Sequence, residues 1–501
     1  MIRALVAFVV GVALSLAFEP VAIPVVAPFC VAGYVLCLHG LAGGRRARRR
    51  GFGVGLAFGV GFYFTHIWWM RAVATAAWIG LASLEALFYG LLGAVVVVLV
   101  RRRWWPLTVT AAWVTMEVWR SSWPFSGMPW GRLAFSVVDT PLTGLLPWIG
   151  MVGVSGVVAL LGALLAHLVL HRRALVLVPL LIVGGVIALS VAVPYDPGPE
   201  DGEATVAAVQ GNVPGPGNDV LYDYEQVTRN HAEATEQLAA QVAAGTEPRP
   251  DFVVWPENST AVDPFADAET HSAIEAAVSA IDVPVLVGAI VDDGADYVLN
   301  QGIVWDPVSG AGDRYTKRHP VPYGEYIPAR RFADFNFGEL ARISRDMRAG
   351  TRTEPLDVAG VPVADAICFD VAYDDGIDAQ VRHGAQMLTV QTSNATFIFT
   401  DQIEQQFAIT RLRAIETQKW LVVASTNGLS GIIDPEGHVV ATADPRTTAV
   451  MVHRVGLRTG ATPGVVLTPW IGWVALVVTL VGLCAGFVPY RRLRPTPEEK
   501  T

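Results

Sequence analysis

Apolar positions along this chain follow two different rules. Up to about residue 194, and again from 464, they come in long runs; between those limits they alternate with polar residues at short period. Runs of roughly 20 residues, the length that crosses a bilayer, occupy 4–18, 21–43, 52–70, 73–100, 104–120, 146–170, 174–194 and 464–489. The pattern predicts eight membrane-spanning helices. The first run follows Met1-Ile2-Arg3 as a signal peptide would, but Phe18-Glu19-Pro20 offers no small-residue cleavage site, so it reads as a retained helix.

The middle region reads as one α/β layered domain. Short β-rich runs predict strands at 204–210, 251–255, 283–291, 298–305, 363–368, 387–391, 420–426, 430–434 and 448–454, and helices fit 223–244, 267–281, 375–384 and 401–419. In the last helix Ile403, Phe407, Leu412 and Ile415 keep near-helical spacing, which predicts one apolar buried stripe. Pro197-Gly198-Pro199 and Gly460-Ala461-Thr462-Pro463 read as linkers. The expected division is a membrane domain over 1–195, a catalytic domain over 196–460, and an eighth spanning helix with a short tail over 461–501.

Charge orients this arrangement. Arg45, Arg46 and Arg48 to Arg50, then Arg101 to Arg103, Arg172 and Arg173, and Arg491, Arg492 and Arg494 all fall on one side of the predicted spans. The positive-inside rule makes that side cytoplasmic. Both termini are then expected inside and the catalytic domain outside. Only Arg71, Arg120 and Arg132 fall on the outer side, where they are candidates for phospholipid phosphate contacts or interfacial anchoring. Of the 45 acidic residues, 39 lie between 196 and 460 against 18 of the 36 basic ones, a net charge of −21 that argues against nucleic acid as a partner. Among the apolar runs Glu19, Glu85 and Glu117 are the main charges, too few for an ion pathway.

Cys30, Cys37 and Cys484 sit in apolar runs as small hydrophobes, which leaves Cys368 as the single cysteine of the middle region. It ends the apolar run Val363-Ala364-Asp365-Ala366-Ile367 just before a polar turn, where an α/β protein exposes a nucleophile. Glu257 ends Val253-Val254-Trp255-Pro256-Glu257, a carboxylate past a strand and a candidate base. Lys317 lies in Tyr315-Thr316-Lys317-Arg318-His319-Pro320-Val321-Pro322-Tyr323-Gly324-Glu325, held non-helical by its prolines and glycine. Taken singly, each has an ordinary alternative: core thiol, helix cap, surface charge.

Their order is more specific: Trp-Pro-Glu, then Lys-x-His-x-Val-Pro-x-Gly-Glu, then Cys-aromatic-acid, then Thr-Ser-Asn. It resembles the nitrilase superfamily, with its α-β-β-α sandwich and Glu-Lys-Cys triad. Together with Glu117-Val118-Trp119-Arg120, Gly127-Met128-Pro129-Trp130, Arg411-Leu412-Arg413-Ala414-Ile415-Glu416 and seven spans before the domain and one after, nearly the whole chain resembles the apolipoprotein N-acyltransferase family, most closely its actinobacterial members. The resemblance implies Glu257 as general base, Lys317 as the cation stabilising the intermediate, Cys368 as nucleophile and Glu325 as a second functional acid. Trp255, Tyr323, Phe369, Asp370 and Asn394 are implied as supporting or substrate-binding residues. Phe369 and Asp370 stand where the family commonly has Tyr and Glu.

The implied reaction moves an acyl chain from a phospholipid to Cys368 and on to the α-amine of a diacylglyceryl-cysteine in an apolipoprotein, with no cofactor and no metal. Implied partners are those two substrates, membrane lipids and a separate polyprenol-phosphate glycosyltransferase, since some actinobacterial relatives carry one fused. A membrane-tethered amidase using water as acceptor and a non-catalytic membrane scaffold are the alternatives.

Overall fold

The computed structural model describes residues 1–44, 46–171, 177–328, 330 and 343–487. Arg45, Arg172, Arg173, Arg491, Arg492 and Arg494 of the basic clusters, and the tail from 488, lie outside the described residues.

Each predicted apolar run carries a helix: α1 (Ile2–Ser15), α2 (Val26–His39), α3 (Ala47–His66), α4 (Thr75–Leu99), α5 (Trp105–Arg120), α6 (Leu146–His171) and α7 (Leu177–Ala192) come before the α/β region, and α12 (Pro463–Phe487) follows it. By length and composition, Thr75–Leu99, Pro141–His171 and Pro463–Phe487 are sufficient to cross a membrane; Ile2–Ser15, Val26–His39 and Leu177–Ala192 are apolar but shorter. Small residues bring α3 and α4 together, as lipid-embedded helices need because hydrophobicity alone does not drive helix on helix there. A Cβ on Gly55 would stand 2.2 Å from the Tyr89 carbonyl oxygen and one on Gly51 would stand 2.6 Å from that of Gly93, so only glycine permits this approach.

Between α7 and α12 two sheets stack. The strands are β1 (Gly202–Gln210), β2 (Phe252–Val254), β3 (Val285–Asp293), β4 (Tyr297–Asp306), β5 (Gly310–Thr316), β6 (Asp346–Met347), β7 (Leu356–Val358), β8 (Val361–Ile367), β9 (Met387–Thr392), β10 (Leu421–Ser425), β11 (Ser430–Ile433), β12 (Val439–Ala443) and β13 (Ala449–Leu457). One sheet runs β13-β1-β2-β3-β4-β5 with β6 against β4, and the other runs β12-β11-β10-β9-β8-β7. The helices are α8 (Tyr224–Ala243), α9 (Ala268–Ile281), α10 (Asp374–Arg382) and α11 (Gln402–Thr417). Phe252 and Val254 face the space between the sheets, whereas Val253 and Trp255 face α8 and α9 with Leu238, Ile274 and Val278, the alternation a strand imposes. The order is helices, sheet, sheet, helices: the predicted α-β-β-α sandwich.

Four strands have no counterpart in the sequence prediction. β5 reads Gly-Ala-Gly-Asp-Arg-Tyr-Thr, β6 has two residues, and β7 and β12 lie at the ends of their sheet. For β5, edge pairing supplies what propensity does not.

The expected apolar stripe on α11 needs correction. Ile403 and Phe407 are only partly buried, while Gln402, Gln405, Gln406, Arg413 and Glu416 are buried. The reason is what the helix packs against: both the reaction site and the membrane helices present polar groups to it. Trp69 and Trp130 donate their indole N–H to Gln405 Oε1 at 3.0 and 2.7 Å. The Met151 N–H donates to Glu416 Oε1 at 2.8 Å, just beyond the kink at Gly150, where φ is +62°.

Two of the three arginines expected on the outer side are likewise committed. Arg120 is buried, donates to the Met128 and Trp130 carbonyls at 2.7 and 2.9 Å, and pairs with Glu85 at 3.5 Å. Arg132 pairs with Asp374 of α10 at 2.7 Å. Neither is available to a phosphate, so that expectation fails for both; Arg71 is exposed, with its guanidinium 5.7 Å from the Trp78 ring. Glu117 accepts from Trp113 Nε1 and the Leu133 N–H, each at 3.0 Å, a structural use of an intramembrane acid.

Candidate active site

Glu257, Lys317 and Cys368 each follow a strand end, those of β2, β5 and β8, and the two sheets bring these ends to one place. Lys317 is wholly buried and Glu257 is 3% exposed. The Lys317 ammonium donates to Glu257 Oε1 at 2.9 Å and to Glu325 Oε1 at 2.5 Å. Asn300 Nδ2 adds a bond of 2.7 Å to Glu257 Oε1, and the Ser393 N–H adds one of 2.8 Å to Oε2. Glu325 is anchored in turn by the Val321 N–H at 2.8 Å. Burial pulls the Lys317 ammonium down, but the carboxylates of Glu257 and Glu325 outweigh it and hold its pKa well above the ordinary value. Burial raises Glu325, against the lowering pull of Lys317.

Cys368 opens a 3₁₀ turn over Cys368–Ala372, has φ +53° and is 6% exposed. Burial pushes its thiol up and the Glu257 carboxylate adds to this, while the Lys317 ammonium and a bond with Thr392 pull the other way. Burial thus favours the thiol over the thiolate, so its proton must leave as the bond to substrate forms. An amide chain steadies it: Sγ lies 3.6 Å from Gln406 Oε1, Gln406 Nε2 donates to Thr392 Oγ1 at 3.0 Å, and Gln402 Nε2 donates to Gln406 Oε1 at 2.7 Å. Asn394 stands at the far end of that chain, 3.5 Å from Gln402, and its Oδ1 accepts from Ser425 at 2.9 Å. Gln402 and Gln406 are functional positions the sequence reading missed; their signal was a glutamine pair four apart in a helix whose face is buried.

Asp370 clamps the lysine loop to the nucleophile turn. Its carboxylate accepts from Tyr315 Oη at 2.9 Å, the Arg318 N–H at 3.1 Å and the His319 N–H at 2.8 Å. Phe369 stacks on Trp130 with ring centroids 4.7 Å apart, and lies 5.9 Å from Trp69, so an aromatic wall separates the turn from the apolar helices. Tyr323 takes φ +61° and its N–H donates to the Tyr326 carbonyl at 2.8 Å, which closes the loop that presents Glu325.

Trp255 is not beside the site. Its ring packs under α8, with Nε1 donating to Thr235 Oγ1 at 2.9 Å, because strand alternation turns it to the outer face. Trp255→Phe is expected to cost about 1 kcal/mol of stability, one lost hydrogen bond, and to leave the rate of Cys368 acylation unchanged; thermal unfolding and adduct kinetics check both.

Asp365 lies three residues before the nucleophile, wholly buried, with Thr389 Oγ1 donating to Oδ1 at 2.7 Å and Oδ2 without a partner. Burial pushes its carboxyl up to about 7. The native state thus keeps a proton that the unfolded chain releases near pH ~3.9. Its contribution to stability is full below that value and is lost as pH rises toward 7. Asp365→Asn is expected to flatten this slope and raise the melting temperature at pH 8, measured over pH 5 to 9.

Two family descriptions match the chain: the apolipoprotein N-acyltransferase N-terminal domain over residues 10–164, and carbon-nitrogen hydrolase over 205–462, more than half its length. The apolipoprotein N-acyltransferase of Mycolicibacterium smegmatis is 35% identical over 86% of this chain and 76% of its own. That of Methylococcus capsulatus is 31% identical over 76% of this chain and 72% of its own, and that of Vibrio vulnificus 27% identical over 95% and 96%. With a carbon-nitrogen hydrolase sandwich joined to the matching N-terminal helices across most of its length, this chain belongs to the apolipoprotein N-acyltransferase family.

Proposed function

We propose that the chain transfers an acyl group from a phospholipid to the N-terminal amine of a diacylglyceryl apolipoprotein in two steps, with Cys368 as nucleophile, Glu257 as base and Lys317 as the stabilising cation. The observation that carries this reading is the set of buried Glu257 and Lys317 with partly buried Glu325, whose charges all act on the Cys368 thiol. In the first step Glu257 takes the S–H proton, sulfur bonds to the ester carbonyl carbon, and the C–O bond breaks. Lysophospholipid leaves with that proton, and an acyl thioester remains. In the second, the acceptor nitrogen attacks the thioester, the C–S bond breaks, and the amine's proton passes through Glu257 to the sulfur.

The Lys317 ammonium has two acceptors among the described residues, so a third N–H is left for the developing oxyanion. The Phe369 N–H, second in a 3₁₀ turn whose leading donors lack partners within the turn, is the other proposed donor. Glu325 anchors the lysine, and Asp370, Tyr323 and Asn394 hold the loops around it.

The division at 1–195, 196–460 and 461–501, eight spans, cytoplasmic termini and an extracytoplasmic catalytic domain complete the proposal. It is supported by the basic clusters and by three helices long and apolar enough to cross a membrane. A separate polyprenol-phosphate glycosyltransferase is a further proposed partner, from the likeness to actinobacterial members. The test is to incubate the full chain with labelled phospholipid, find the acyl mass on the peptide holding Cys368, and discharge it with a diacylglyceryl-cysteine peptide. An acyl mass elsewhere, or one discharged only by water, refutes the reading.

A further inference from the structure

A cavity of about 410 Å³ opens between α5, α6, α12 and α10, and Glu257, Lys317 and Cys368 do not line it. Val118, Val152, Pro469 and Gly472 give it an apolar lining, and Ser122, Asp378 and Arg382 are among its polar lining residues. We infer that this cavity holds an intact phospholipid away from Cys368, with an acyl chain against Val118 and Gly472 and the phosphodiester at Arg382 and Asp378. The inference rests on the membrane embedding proposed above.

Charge decides what the polar lining accepts. Asp374 is already paired with Arg132 and Arg413, and Asp375 with Arg318 and His319. Arg382 is exposed at the end of α10 and makes no ion pair among the described residues. Asp378 is 2% exposed, and its Oδ1 has no hydrogen-bond partner. Burial, with Glu416 and Asp374 nearby, pushes that carboxyl well above the ordinary range, against the lowering pull of Arg413 and Arg382. An exposed guanidinium without an ion pair among the described residues, one helical turn from a carboxyl with an unpartnered oxygen, suits a phosphate oxygen. A lining that joins apolar side chains to a cationic group matches an amphiphile, not a free anion.

Gly472 keeps the apolar lining open. A Cβ there would meet Val118 at 3.5 and 3.6 Å, ordinary contact, so a larger side chain fits the backbone and fills the cavity.

The test uses the full chain in nanodiscs doped with a phospholipid that carries a photoactivatable acyl chain, with labelled peptides mapped by mass spectrometry. Label is expected to concentrate on the segments of α5 and α12 that flank the cavity. Arg382→Ala should lower it about tenfold, the loss of one charged hydrogen bond, and Gly472→Leu should lower it by filling the space. Both variants should still acylate Cys368 from a short-chain soluble donor, a parallel readout that tests the chemistry independently. Label spread evenly over all apolar helices, or unmoved by either substitution, overturns the proposal while leaving the embedding intact. Label on none of the apolar helices overturns it together with the embedding.

Discussion

Cys368→Ala is expected to abolish both the acyl adduct and the N-acylated product while the protein stays folded. The reasoning is geometric as well as chemical. Cys368 has φ +53°, a left-handed conformation in which alanine is no worse placed than cysteine, and its sulfur makes a long contact of 3.6 Å with Gln406 and a bond with Thr392. Little packing is lost, so a loss of activity reports the nucleophile alone. Cys368→Ser is a stricter control, because it keeps a polar atom at the site with a far weaker nucleophile at neutral pH. Intact-protein mass spectrometry and thermal unfolding are read together. Product formed at near wild-type rate by either variant would remove the thioester from the mechanism.

Lys317→Met should have the next largest effect, and on two separate readouts. Removing an oxyanion donor costs about 10²–10³-fold in rate. It also leaves buried Glu257 and partly buried Glu325 without their shared cation, a loss of up to about 3–5 kcal/mol. The double variant Lys317→Met/Glu325→Gln removes one of the two orphaned charges, so it should recover much of the stability and none of the activity. Because the carboxylates hold Lys317 well above its ordinary pKa, its stabilising contribution is complete at all pH values below about 10.4, the unfolded value, and fades only above that. The stability loss in Lys317→Met is instead set by the two carboxylates left without it, and is expected to shrink as pH falls and one of them takes up a proton. A single variant with near-normal acylation, or a double variant no more stable than the single, would refute the assigned role.

Much of this protein was legible before its coordinates. Long apolar runs are a local property, and each of the eight carries a helix in the described residues. The predicted strands that cross the sandwich core were found because period-2 alternation is also local. The motif order around Glu257, Lys317 and Cys368 identified three strand ends, though not that they meet.

What the chain's local pattern did not contain depends on partners distant in sequence. β5 is a strand because β4 lies beside it, not because its residues favour extension. Trp255 adjoins a catalytic motif yet faces away from it, since strand parity outranks proximity in sequence. Arg120 and Arg132 look like surface cations, but one is enclosed by Glu85 and two carbonyls and the other is spent on Asp374, 242 positions away. Gln402 and Gln406 acquire a role only when α11 packs against the nucleophile turn. Sequence by itself determined which segments are apolar, which alternate and which residue types could do acyl chemistry, all of it set by near neighbours. Tertiary structure alone decided the preference for thiol over thiolate at Cys368, the shared lysine between two acids and the cavity at α10, because burial and long-range pairing set the electrostatics of each.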